Sequence, residues 1–77
     1  MITRREYEVL NQISLGYKIH EIAEQLYIST HTVVSHRKNL YSKLNVSNTA
    51  SLVRYAFDYG ILVPKNHESQ SLTSNAA

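Results

Sequence analysis

Four histidines and six carboxylates are the groups with which this 77-residue chain could do catalysis or hold a metal. Their spacing argues against both. His20-Glu21 opens a stretch that invites comparison with the H-E-x-x-H zinc motif, yet Glu24 stands where the second histidine must be. His31 and His36 are five residues apart, so on a helix they fall on different faces and make poor joint ligands. No Gly-rich phosphate loop is present. No serine has a histidine and an acid placed to make a nucleophile elbow. The chain has no cysteine, which removes thiolate metal sites and disulfides together. The expectation is a protein that is not an enzyme, with no metal and no cofactor.

A different chemistry is written between Thr30 and Leu44. At about 100° per residue, Val33, His36, Leu40 and Leu44 share one side of a helix and face a core. The opposite side carries His31, Ser35, Lys38 and Ser42, flanked by Val34 and Asn39. A helix that needs only solubility would more often carry Glu and Lys pairs there. The major groove of DNA admits an α-helix, and side chains on its exposed face read the base edges. Lys38 can donate to guanine O6 or N7, Ser35 can donate or accept, and Val34 offers an apolar surface to a thymine methyl. His31, near the start of the helix, can reach a base or a phosphate. Thr30, Arg37, Lys43 and the free N–H groups at the helix start suit phosphates, and Thr32 and Asn39 are counted with them. His36, facing inward, is expected to hydrogen-bond within the domain.

Charge agrees. Between Gln25 and Phe57 there is no Asp or Glu, while Arg37, Lys38, Lys43 and Arg54 all fall there. Glu6, Glu8, Glu21 and Glu24 lie upstream. The net charge is only +2, but this asymmetry favours an anionic partner for the middle of the chain.

The remaining residues read as the frame that must hold this helix. Thr3 and Glu6 form a T-x-x-E capping box, with Ile2 and Tyr7 as a hydrophobic staple. They predict a helix over 4–15 with Leu10 and Ile13 inward, ended by a left-handed Gly16. Ile19, Ile22, Ala23 and Leu26 form an amphipathic stripe over 19–26, in which small Ala23 permits a close helix crossing. This helix lacks a good N-cap, and Glu21 partly offsets that through the helix dipole. Tyr27, Ile28 and Ser29 make the turn, Ile28 pinning the corner and Ser29 capping the helix over 30–44. Asn45 ends that helix and Val46 packs the next corner.

Ser47 is expected to cap a fourth helix over 48–59, closed by Gly60, with Thr49, Leu52, Val53 and Ala56 inward. Tyr55 and Tyr59 lie on one of its flanks, Ala50 and Phe57 on the other. A helix apolar most of the way round calls for a second partner, and Tyr55, Phe57 and Tyr59 are the candidate dimer contacts. Ile61, Leu62 and Val63 can fold back over part of it. Arg54 and Asp58, at i and i+4, are expected to form a weak surface pair. The fold class is therefore all-α, a four-helix helix–turn–helix domain over 1–64 with a disordered polar tail over 65–77. No apolar run approaches the roughly 18 residues of a membrane span and no signal-peptide pattern opens the chain. A cytoplasmic protein with no membrane partner and no small-molecule ligand is expected.

The run Ile2-Thr3-Arg4-Arg5-Glu6, Val9-Leu10, Gly16, Glu21-Ile22-Ala23, Leu26, Ile28-Ser29, Thr32-Val33, His36, Asn39-Leu40, Lys43-Leu44 and Val46 resembles the LuxR-type, or GerE-like, helix–turn–helix domain. That domain is also the output half of NarL/FixJ response regulators. The resemblance extends from Met1 to about Val63. It implies a bacterial transcriptional regulator whose third helix reads double-stranded DNA and whose fourth helix often mediates dimerisation on it. Carried over by position, Val34, Ser35 and Lys38 read bases while Asn39 and Lys43 lie nearer the backbone. The chain departs from the pattern at Val34, where many members have Lys or another polar residue, and at Thr49, where many have Arg. The alternative is a protein-interaction module that docks RNA polymerase or another regulator through the aromatic fourth helix.

Overall fold

The computed structural model describes residues 1–63, which form four helices: α1 (Arg4–Ser14), α2 (Ile19–Leu26), α3 (Thr30–Leu44) and α4 (Thr49–Asp58). The stop at Pro64 and the polar tail over 65–77 lie outside the described residues.

Each helix begins where a side chain satisfies its open backbone donors. Thr3 Oγ1 accepts from the Glu6 N–H at 3.1 Å and Glu6 Oε1 accepts from the Thr3 N–H at 3.0 Å, so the capping box is closed. At α2 only half of such a box forms, Glu21 Oε1 accepting from the Lys18 N–H at 2.7 Å. Glu21 thus adds a bond to its favourable place in the helix dipole, while the bond that a cap side chain would accept from the first turn is missing, because lysine has no acceptor. Ser29 Oγ accepts from the Thr32 N–H at 3.0 Å. The cap of α4 is Asn48, whose Oδ1 accepts from the Ser51 N–H at 2.8 Å. Ser47 was the expected cap; the amide wins because its helix starts one residue later, at Thr49.

All four helices close in the left-handed region, α4 at Gly60 with φ +75°. Gly16 follows α1 at φ +91°, and its surroundings leave room for a side chain, so the backbone angle alone calls for glycine. Tyr27 after α2 and Asn45 after α3 adopt φ of 59° and 56°. Asparagine tolerates this well; a tyrosine there is unusual.

Two apolar clusters make up the core. Val9, Ile22, Ala23 and Val33 weld α1, α2 and α3 together, with Leu26 and Ile28 packed against them. Leu10, Leu40, Leu52, Ala56 and Leu62 do the same for α1, α3 and α4. Adjacent Val9 and Leu10 serve different clusters, and Ile13 touches both. Hence α1 and α3 each pack on all the other helices, whereas α2 and α4 do not meet.

Beyond α4 the chain folds back, with the Ile61 and Leu62 N–H groups both donating to the Ala56 carbonyl. Leu62 is buried, but Val63 stays exposed. Of the stripe expected on α4, Leu52 and Ala56 are buried and Val53 half-buried. Thr49 is exposed, its hydroxyl 2.9 Å from that of Tyr41, because the first turn of α4 projects past the core.

Candidate nucleic-acid interface

α2, the Tyr27-Ile28-Ser29 turn and α3 form the helix–turn–helix, and the packing of α3 decides which of its side chains are free. Val33 and Leu40 are fully buried, and Leu44 is half-buried beside them. His31, Lys38, Asn39 and Ser42 project outward and are exposed; Val34 and Ser35 are half-buried between them. The four residues expected to read bases, His31, Val34, Ser35 and Lys38, therefore share the outer side of one helix. Among the described residues Lys38 enters no ion pair. Its charge is not spent inside the domain.

The residues expected at phosphates divide. Thr30 and Asn39 are exposed. Thr32 is tied into the cap, its hydroxyl 2.9 Å from that of Ser29. Arg37 lies against the core edge, its guanidinium 5.8 Å from the centre of the Tyr41 ring, a cation–π distance. The Nε of Arg37 is buried without a hydrogen-bond partner.

Lys43 turns inward instead. Its Nζ donates to Glu6 Oε1 at 2.7 Å and to the Met1 carbonyl at 2.9 Å. Glu6 is almost fully buried. That burial by itself would raise its carboxyl pKa. The hydrogen bond from Lys43, the bonds from Thr3 and the charge of Lys43 outweigh it and hold Glu6 below its ordinary value. A buried carboxylate needs a cation, and Lys43 supplies it. Two of its three donors are thereby committed to structure. This pairing escaped the sequence reading because it joins residues 37 apart, and the capping box already accounted for Glu6.

His36 is half-buried as expected, but its Nδ1 is buried with no hydrogen-bond partner, so the ring serves packing. No group of His, Asp and Glu among the described residues could hold a metal ion, and none of the described helices is long and apolar enough to cross a membrane. On α4, Tyr55 and Tyr59 stack with centroids 4.3 Å apart and planes at 27°, and Tyr59 is 71% exposed. Phe57 packs instead against the cluster around Leu10 and Leu40. The three aromatic residues do not make one surface.

Comparison with known proteins agrees with this geometry. Residues 1–56 match the family described as "Bacterial regulatory proteins, luxR family". The chain is 48% identical over 61 residues to the transcriptional regulatory protein MctR of Rhizobium johnstonii, covering 79% of this chain and 28% of that protein. It is 39% identical over 62 residues to the oxygen regulatory protein NreC of Staphylococcus carnosus, covering 80% and 29%. Among solved structures it superposes on the response regulator ChrA of a heme-sensing two-component system with a TM-score of 0.77 at 31% identity, covering 80% of this chain and 31% of that one. The chain thus spans under a third of the length of these relatives. A four-helix frame around a capped, basic third helix and a family match over most of that frame lead to one conclusion: the chain belongs to the LuxR family of bacterial regulatory proteins and forms its helix–turn–helix domain, a DNA-binding and non-catalytic class.

Proposed function

We propose that this domain binds double-stranded DNA sequence-specifically, with α3 in the major groove, and serves a bacterial transcriptional regulator. The outer strip of α3 carries the reading: Lys38, in no ion pair among the described residues, stands among short side chains that let the helix approach base edges closely. Lys38, Ser35 and Val34 are assigned to bases, with His31 at the leading end. Thr30 and Asn39 are assigned to phosphates, and Arg37 from the core edge joins them. Thr32 supports α3 through the Ser29 cap and meets the backbone only with what that leaves free. The internal bonds of Lys43 make its contribution chiefly structural.

One lysine on the reading strip is a small electrostatic handle, which favours binding as a pair. The exposed end of α4, with Tyr59 outermost and Tyr55 stacked behind it, is the surface for a second copy. Two half-sites would then lie about 10 base pairs apart or a multiple of that. The same exposure, with Val63 beside it in sequence, supports a second reading in which α4 docks RNA polymerase or another regulator.

Selection of binding sites from random duplexes, followed by titration at several salt concentrations, tests the primary reading. Enrichment of a motif whose affinity falls by about 0.9 log units per log unit of salt for each phosphate contact is expected. Failure to shift any duplex at low salt overturns it and leaves the docking role of α4.

A further inference from the structure

A groove of about 440 Å³ opens where the α1–α2 connection, the middle of α3 and the start of α4 converge. That volume lies within the roughly 300–1,000 Å³ of pockets that take small organic ligands. Its wall is chiefly apolar, lined by Ile13, Ile19 and the exposed Tyr17. At Gly16 the space where a side chain would lie is open, so the rim is unobstructed there.

Three polar side chains join that wall: Lys18, Arg37 and Thr49. Lys18 is exposed and enters no ion pair among the described residues. Its backbone N–H donates to the Glu21 carboxylate at 2.7 Å, but Glu21 does not line the groove. No carboxylate is among the described lining residues. The Thr49 hydroxyl lies 2.9 Å from that of Tyr41, and when Tyr41 donates, the Thr49 O–H is free to donate elsewhere.

These groups select a ligand. An inorganic anion leaves the apolar wall unused, and a plain hydrocarbon leaves the cation unused. A molecule with an apolar body and one anionic end meets both. We propose that the groove binds a small carboxylate with an apolar body. The body lies on Ile13, Ile19 and Tyr17, and the carboxylate meets Lys18 Nζ and the Thr49 hydroxyl. Arg37, oriented by the Tyr41 ring, adds positive field without touching the ligand. The site stands on the groove alone and does not depend on the DNA-binding reading. It departs from the expectation of no small-molecule ligand because its residues come from three segments that only the fold brings together.

Titration of the 77-residue chain with octanoate, followed through backbone amide chemical shifts, tests this, with octanol and inorganic phosphate as controls. Octanoate is expected to give saturable shifts centred on Gly16, Lys18, Ile19 and Thr49. Octanol should bind the same residues about three-fold less tightly, and Lys18→Gln should weaken octanoate by about the same factor, the size of an exposed ion pair. Tyr17→Ser should weaken octanoate and octanol alike. Tyr17 and Lys18 belong to neither core cluster, so both variants keep the fold. Equal octanoate affinity in the wild type and Lys18→Gln overturns the carboxylate contact. Phosphate that saturates these residues as tightly as octanoate overturns the apolar body. Octanoate shifts that fail to saturate, or that spread over the whole surface, overturn the site.

Discussion

Lys43 Nζ lies 2.7 Å from Glu6 Oε1 and 2.9 Å from the Met1 carbonyl oxygen, tying the last turn of α3 to the first turn of α1. One carboxylate therefore caps α1 and anchors the far end of the proposed reading helix. Substitution of either partner should propagate to both. Lys43→Met is expected to lower unfolding free energy by about 1–3 kcal/mol, with part of the pair energy discounted because Lys43 is one-third exposed. A double-mutant cycle with Glu6→Gln, read by urea denaturation, should show a coupling of roughly 0.5–3 kcal/mol. Additive losses would mean the pair is incidental.

The same carboxylate predicts a pH dependence. Its folded pKa is depressed, so its contribution is fully present above the unfolded value of about 4.3 and is lost as pH falls through the folded value. Stability should decline on acidification below that range. The decline should be shallower in Glu6→Gln, which already lacks the ionised form. Parallel acid profiles for the two proteins would contradict the assignment.

Ser29 closes the first turn of α3 through the Thr32 N–H and sits at the corner of the helix–turn–helix. Ser29→Ala should cost about 1 kcal/mol, and Ser29→Asp, which keeps an acceptor, should restore most of it. Thermal unfolding of the three proteins checks this.

Tyr27 holds a left-handed backbone and is 94% exposed, a conformation that costs an L-residue roughly 1–2 kcal/mol. Tyr27→Asn should therefore stabilise the domain by about 0.5–1 kcal/mol, seen as a higher urea midpoint at unchanged slope. A lower midpoint would show that the ring contributes contacts worth more than the strain.

For recognition, Lys38→Ala is expected to relax preference at one base pair by about 1–3 kcal/mol while leaving other positions unchanged. Competition among single-base variants of a selected site measures it. An equal loss on every sequence would move Lys38 from the bases to the backbone.

The local rules of helix building were legible in the residues themselves. Thr3 with Glu6, the stripe from Ile19 to Leu26, Ser29 at the corner and the opposed faces of α3 placed three helices within a residue of where they lie. These are short-range effects: a cap spans three residues and an apolar stripe repeats every three or four. The start of α4 slipped by one because Ser47 and Asn48 are both good caps, and in the fold it is Asn48 that takes the Ser51 N–H. Likewise the outer strip of α3, with Lys38 at its centre, follows from periodicity alone.

Tertiary structure decided what the other charged and aromatic residues do. Lys43 reads as a phosphate contact in the sequence, and only the fold shows that it also pairs with a buried acid 37 residues away. Phe57 read as a candidate contact for a second copy, but the returning Ile61-Leu62 segment encloses the cluster against which it packs. Lys18 and Thr49 come to line one groove with Arg37 only because the α1–α2 connection, α3 and the start of α4 converge. Periodicity within a helix tells which way a side chain points. Whether it meets an acid, a ring or open solvent depends on which distant segment is packed there, and that is a property of the folded chain.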